Sequence, residues 1–196
     1  MKKSLAAVFA VLLVVSGPAG ASDNADVSAP LILVAKPELR DNLYGSAVLV
    51  VRPLGDDQHV GFIVNRPTST VLSTLFPDHG PSHKVIDPVY VGGPVSAELI
   101  FAMVKRAESP GEGSLAVMPG LYVAFEAAIV DRIIESESDH ARFVAGLVAW
   151  KTGELRAEIK SGAWYVLAPD PALVMRNPEG LWEELVRRSQ QADSTI

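Results

Sequence analysis

Two short turns carry the residues best suited to chemistry. Asn65-Arg66-Pro67 follows the apolar run Val60 to Val64. An arginine held at the end of a strand can offer its planar, five-donor fork to a carboxylate or a phosphate, and the asparagine before it tolerates a left-handed turn. The plainer reading makes the triplet a strand terminator, with Arg66 in an internal ion pair. Gly92-Gly93-Pro94 follows Val89 to Val91. Backbone without Cβ turns tightly and lets a ligand or another chain approach closely, although glycine pairs also serve only to shape turns. Neither GxGxxG nor a Walker loop occurs, so the chain shows no phosphate-cradle fingerprint.

Acid, base and metal chemistry are less well served. Glu154 and Glu158 stand at i, i+4 spacing. Buried together on one helix face they could divide acid and base roles; on a solvated face, the expected case, they repel slightly beside Lys151 or Arg156. His79 and His83 flank Gly80-Pro81-Ser82, with Asp78 and Asp87 nearby, a donor set that zinc or copper accepts. Gly80-Pro81 makes this segment a loop with incidental histidines, and His59 and His140 stand alone. Ser46 follows Gly45 but lacks the GxSxG elbow. Trp150, Trp164 and Trp182 belong in the core or at the rim of a groove, where indoles can anchor a partner. The candidate ligand- or partner-binding residues are therefore Asn65, Arg66, Gly92, Gly93, Trp150 and Glu154. No catalytic residue, metal ligand or cofactor is assigned.

The elements that must position these residues can be read from pattern. Runs rich in Val and Ile, punctuated by Gly and Pro, predict buried strands at Leu31 to Ala35, Ala47 to Val51 (ended by Pro53), Val60 to Val64 and Val89 to Val91. Later strands are expected at Leu121 to Phe125, Arg142 to Trp150 and Trp164 to Leu167. From Glu126 to Ser136 the stripe Ile129, Val130, Ile133 and Ile134 predicts an amphipathic helix. Near the C-terminus Asn177 can cap and Pro178 can open a helix whose apolar face is Leu181, Trp182, Leu185 and Val186. Its acids Glu179, Glu183 and Glu184 come early and Arg187 and Arg188 late, as the helix dipole favours. Thr152 can cap a short helix carrying Leu155 and Ile159, and Ser69 to Phe76 predicts another. Ser96 to Lys105 fits either a strand or a buried helix. Strands in pairs with helices inserted late imply one α+β domain with a mixed sheet, not a doubly wound one.

The chain ends set the compartment and the partners. Lys2 and Lys3, the apolar run Leu5 to Val15, Pro18 and Ala19-Gly20-Ala21 have the layout of a secretory signal cleaved after Ala21. The run is shorter than the 18 or so apolar residues of a membrane span, so no transmembrane anchor is expected after cleavage. Residues 22–30 read as a flexible leader, residues 31–190 as the domain and residues 191–196 as a tail. The full chain has 17 basic and 23 acidic side chains, and loss of Lys2 and Lys3 moves its net charge from −6 to −8. Without a basic stripe, no nucleic-acid partner is expected. No cysteine occurs, which excludes disulfides, thiol nucleophiles and a cysteine-linked lipid.

Several segments resemble the YqgE/AlgH family of bacterial proteins. Asp41 to Val48 (DNLYGSAV) is similar to that family's "D…F…SV" stretch, and Gly61 to Pro67 (GFIVNRP) to its "GLVINRP". Val89 to Val95 (VYVGGPV) is similar to "VYxGGPV". Ala149-Trp150 with Gly153-Glu154-Leu155 and Glu158-Ile159 is similar to "AGW…GQLE.EI", and Ala163-Trp164 and Leu181-Trp182 fit the tryptophans that follow. The order holds from about Leu31 to Val186. The resemblance implies a compact α+β domain with a mixed, strongly curved sheet and several short helices. It implies no defined reaction, and some members are named transcriptional regulators. This chain departs from the family in its export signal and in Gly146-Leu147-Val148-Ala149-Trp150-Lys151, where the family has "GYAGWG" in what reads as a loop. The expectation is a periplasmic or secreted, non-enzymatic module that binds an envelope protein or a small ligand. The alternatives are an enzyme with a site between the Asn65-Arg66-Pro67 and Gly92-Gly93-Pro94 turns, or a regulator.

Overall fold

The computed structural model describes residues 26–194; the signal-like segment lies outside the described residues. Ten strands form one curled sheet: β1 (Leu31–Ala35), β2 (Val48–Gly55), β3 (Gln58–Ile63), β4 (Pro67–Val71), β5 (Pro88–Val91), β6 (Val95–Lys105), β7 (Ser114–Met118), β8 (Leu121–Ala124), β9 (Ala141–Trp150) and β10 (Trp164–Leu167). The main path runs β10-β1-β2-β3-β9-β6-β8-β7, and β5 joins β9 while pairing with β4. Every pairing is antiparallel except β5 with β9, where Tyr90 meets Val144 and Val91 meets Ala145. The expected mixed sheet is therefore present, and its curl brings β7 back toward β2, where Arg52 donates to the Ala116 carbonyl.

The continuous apolar runs are strands covered on both faces. In β1, Ile32 and Val34 point into one core cluster while Leu31, Leu33 and Ala35 point into another; β2 repeats this with Val48 and Val50 against Leu49 and Val51. Four helices, α1 (Leu72–Leu75), α2 (Ala127–Ser136), α3 (Glu154–Lys160) and α4 (Leu181–Asp193), supply the covers. Leu181, Leu185 and Val186 of α4 close the first cluster, Leu155 of α3 the second, and the Ile129, Val130, Ile133 and Ile134 stripe of α2 a third.

Several expectations are corrected. Pro53 does not end β2, which continues to Gly55. β1 stops opposite Val51, so the missing proline N–H faces a free edge. The helix expected over Ser69 to Phe76 forms only at Leu72–Leu75; Ser69 to Val71 belong to strand β4, which finds a partner in β5. The ambiguous Ser96 to Lys105 segment is strand, and β7 was not anticipated. Thr152 does not cap α3: that place belongs to Gly153 at φ 81, while the Thr152 hydroxyl donates to the Asp56 carbonyl. Helix α4 begins at Leu181 after Gly180 at φ 70. Asn177 and Pro178 precede it, the Asn177 side chain accepting from the Glu179 N–H in a turn. Since α4 runs to Asp193, its last turn holds no base, Arg187 and Arg188 are mid-helix, and residues 191–193 of the expected tail are helical. At the other end Val27 is buried and its carbonyl meets His59 Nε2 at 2.8 Å, so that part of the leader is packed, not flexible. The segment Gly146 to Trp150, where the family resemblance suggested a loop, is the second half of β9, in keeping with the strand expected at Arg142 to Trp150.

Candidate functional site

The turns at Asn65-Arg66-Pro67 and Gly92-Gly93-Pro94 adjoin. The Val91 N–H donates to the Arg66 carbonyl at 2.8 Å, and the Ile63 N–H to the Gly92 carbonyl at 2.8 Å. The two glycines face the backbone of β9. A Cβ on Gly92 would lie 2.2 Å from the Gly146 carbonyl oxygen, and one on Gly93 2.2 Å from Leu147 backbone. Gly146 itself turns at φ 73 with its Cβ direction blocked by the Gly93 carbonyl. The glycines therefore let the β5–β6 connection lie directly on β9, and close approach by this chain's own backbone is their role.

The other turn opens onto a cleft. Gly45, Ser46, Asn65, Arg66, Pro67, Val91, Pro178, Gly180, Trp182 and Glu183 line a volume of about 540 Å³. The positive φ sits at Ser46 (62°), not at Asn65. The Asn65 amide braces that conformation, accepting from the Val48 N–H at 2.8 Å and donating to the Ser46 carbonyl at 2.9 Å. Among the described residues Arg66 makes no ion pair. Its terminal nitrogens donate to the Asn42 carbonyl at 3.3 Å and to the Gly45 carbonyl, and its buried Nε has no acceptor. The loop it holds is ordered from within by Asp41, which accepts from the Leu43 and Tyr44 N–H groups at 2.7 Å each. Across the sequence, Trp182 donates its indole N–H to the Ala35 carbonyl at 2.7 Å, which docks the start of α4 beside the turn.

A second guanidinium stands behind the turn. Arg142 on β9 donates to the Val64 and Arg176 carbonyls at 2.9 Å each and lies 4.2 Å from the Tyr90 ring centre. Burial pulls its pKa below the usual arginine value, opposed by the fields of Tyr90 and Asp87. Nothing in the strand pattern marked this residue, because its partners come from just after β3 and from the segment before α4.

The remaining candidates lie elsewhere. Trp150 and Glu154 are not among the cleft's lining residues. Trp150 is 4% exposed, and its ring fills the space a Gly61 side chain would take. Glu154 accepts from the Lys151 N–H at 2.8 Å and so tightens the entry to α3. Glu158, expected on a solvated face, is half-buried: its Oε2 accepts from Trp150 Nε1 at 3.1 Å and Trp164 Nε1 at 2.9 Å. The two glutamates thus serve different ends and form no acid–base pair. His79 meets Ser82 Oγ at 2.6 Å and His83 meets the Pro77 carbonyl at 2.9 Å. Gly80–Lys84 is a short 3₁₀ helix, not an irregular loop. Among the described residues no three His, Cys, Asp or Glu side chains converge as a metal set. Of the cleft, the sequence pointed to Asn65 and Arg66; Ser46 was weighed only as a nucleophile, and the α4 wall required the long-range docking of Trp182.

The fold and its braced cleft define a single-domain α+β protein with a curled, half-barrel sheet. A solution structure of the AlgH protein from Pseudomonas aeruginosa shares that fold, with a TM-score of 0.68 and 20% identity over 91% of this chain and 93% of that one. A crystal structure of a Corynebacterium diphtheriae protein shares it with a TM-score of 0.67 and 19% identity, covering 82% and 86%. Among relatives by sequence, a UPF0301 protein of Thermobifida fusca is 34% identical over 170 residues, 80% of this chain and 84% of its own. Another, from Chlorobium luteolum, is 26% identical over 165 residues. The AlgH-like family model matches residues 32–193. This chain belongs to the AlgH-like family.

Proposed function

We propose that this chain is an exported, non-enzymatic binding module of the cell envelope, and that the cleft beside Asn65-Arg66-Pro67 holds a small ligand. One observation carries the reading. The cleft wall is a pre-formed turn whose polar groups are spent on rigidity: Asn65 braces Ser46, Arg66 holds the loop from Asn42 to Gly45, and Trp182 ties α4 to β1. Such preorganisation suits binding. The carboxylate on the wall, Glu183, is exposed, and the lining holds no histidine to activate the Ser46 hydroxyl, which does not resemble an activated catalytic pair. Export rests on the first 21 residues, which precede the family match at residue 32.

The two turns adjoin, but only Asn65-Arg66-Pro67 lines the cleft; an enzyme would use the same cleft, so turnover must be tested directly. Purified protein should bind a fragment at this cleft without converting it. Turnover of any substrate abolished by Glu183→Gln would replace the binding reading with an enzymatic one. Export is tested by fractionation: the chain should be recovered outside the cytoplasm beginning at Ser22. A cytoplasmic, untrimmed chain would sink the envelope assignment.

A further inference from the structure

Arg66 supplies the positive charge among the residues that line the cleft. The ion pairs among the described residues are Arg106–Glu137, Arg156–Asp57 and Arg176–Glu184; Arg66 belongs to none. Neutral carbonyls of Asn42 and Gly45 accept its N–H groups but leave a half-buried positive charge without a counter-ion. Each terminal nitrogen carries a second N–H. Ser46 is exposed on the same wall, and its hydroxyl has no partner among the described residues. The Trp182 N–H is already committed to Ala35, so what Trp182 offers the cleft is its ring, together with the apolar rims of Pro67 and Pro178.

We infer that the cleft is a receptor for an organic oxyanion. A carboxylate or phosphate group sits on Arg66 and Ser46, and a small apolar body lies against Trp182 and the two prolines. This rests on the reading of the cleft as the binding site and adds the ligand's charge and shape. Because Glu183 lines the same cleft with like charge, a singly charged carboxylate is favoured over a doubly charged phosphate. That acid also provides a test that improves binding instead of destroying it.

The experiment is an amide and indole NMR titration of the full chain at low ionic strength with benzoate, phenyl phosphate, inorganic phosphate and the neutral isostere benzamide. Benzoate or phenyl phosphate should shift Gly45, Ser46, Arg66 and the Trp182 indole, and whichever binds tighter identifies the oxyanion. Benzamide should bind about tenfold more weakly, the usual difference between charged and neutral hydrogen bonds, and inorganic phosphate should also bind more weakly. Glu183→Gln should tighten the anion by about two- to threefold, an advantage that salt erases. Arg66→Gln should weaken it about tenfold or more, with Arg66→Lys recovering part of the loss if the first variant loosens the loop. Equal binding of benzamide and benzoate, or no gain from Glu183→Gln, would overturn the anion inference and leave the cleft as a neutral site. If no probe moves those signals, the binding reading falls as well.

Discussion

Glu158 offers a sharp test of how the second core cluster is held. One carboxylate oxygen accepts from Trp150 at 3.1 Å and from Trp164 at 2.9 Å, and those residues are 4% and 3% exposed. Replacing Glu158 by Ala strands two buried donors. A stranded donor costs about 1–3 kcal/mol, so the pair sets an upper bound of about 6 kcal/mol. Glu158 is itself half-buried, so water can reach part of the vacated space and offset some of this, which places the expected loss at about 2–4 kcal/mol. At about 2–4 °C per kcal/mol for a domain of this size, Tm should fall by about 5–15 °C. Glu158→Gln keeps an acceptor oxygen on the same stem and should cost about 1 kcal/mol or less. Urea unfolding followed by tryptophan fluorescence measures both, with the slope m checked for constancy. Trp150→Phe and Trp164→Phe then close double-mutant cycles with Glu158→Ala, each expected to show coupling above about 0.5 kcal/mol. The reasoning is refuted if Glu158→Ala lies within about 0.5 kcal/mol of wild type at unchanged m, or if Gln is as damaging as Ala.

Gly93→Ala should cost more than any side-chain deletion in the sheet. Its Cβ would stand 2.2 Å from Leu147 backbone, a clash that no rotamer relieves, so a loss above about 3 kcal/mol and a mostly insoluble product are expected; a soluble variant with near-native Tm would contradict the packing role. Asn65→Asp exchanges a donor to the Ser46 carbonyl for an acceptor and should cost about 1–3 kcal/mol in urea titrations, whereas a neutral outcome would mean the brace is dispensable. Tyr44 bears on alkaline stability. Burial, then the fields of Glu158 and Asp41, pushes its phenol up to about 12. The neutral form is thus favoured in the folded state, and this stabilisation is complete below pH 10 and lost as pH rises toward 12. Absorbance titration at alkaline pH should show a late phenolate step that Tyr44→Phe removes, together with part of the alkaline loss of stability. If Tyr44→Phe instead removed a step at ordinary phenol pH and left the late one, the burial would be contradicted. A gel shift at physiological salt should show no retarded DNA, in line with the net charge of −6; a shift would revive the regulatory reading.

Much of the sheet was legible because its strands are buried on both faces. Leu31–Ala35 and Trp164–Leu167 have the bounds that their apolar runs imply, and the α2 stripe reads directly as its buried face. Misreadings cluster where a residue's partner is distant in sequence. Pro53 looked like a stop until β1 proved to end opposite Val51. Ser69 to Val71 looked helical until β5 supplied the other strand.

By itself, then, the order of residues determined the α+β class, the family, the apolar faces and the turn at Asn65-Arg66-Pro67. Those depend on local propensity and short-range periodicity, which a linear chain carries openly. Tertiary structure alone decided that Gly92 and Gly93 press on β9, that one carboxylate of Glu158 serves two tryptophans, and that Trp182 reaches the Ala35 carbonyl to wall the cleft. Each of these requires groups far apart along the chain to meet within hydrogen-bonding or van der Waals distance. That meeting depends on how the whole sheet curls, and no short stretch of sequence specifies it.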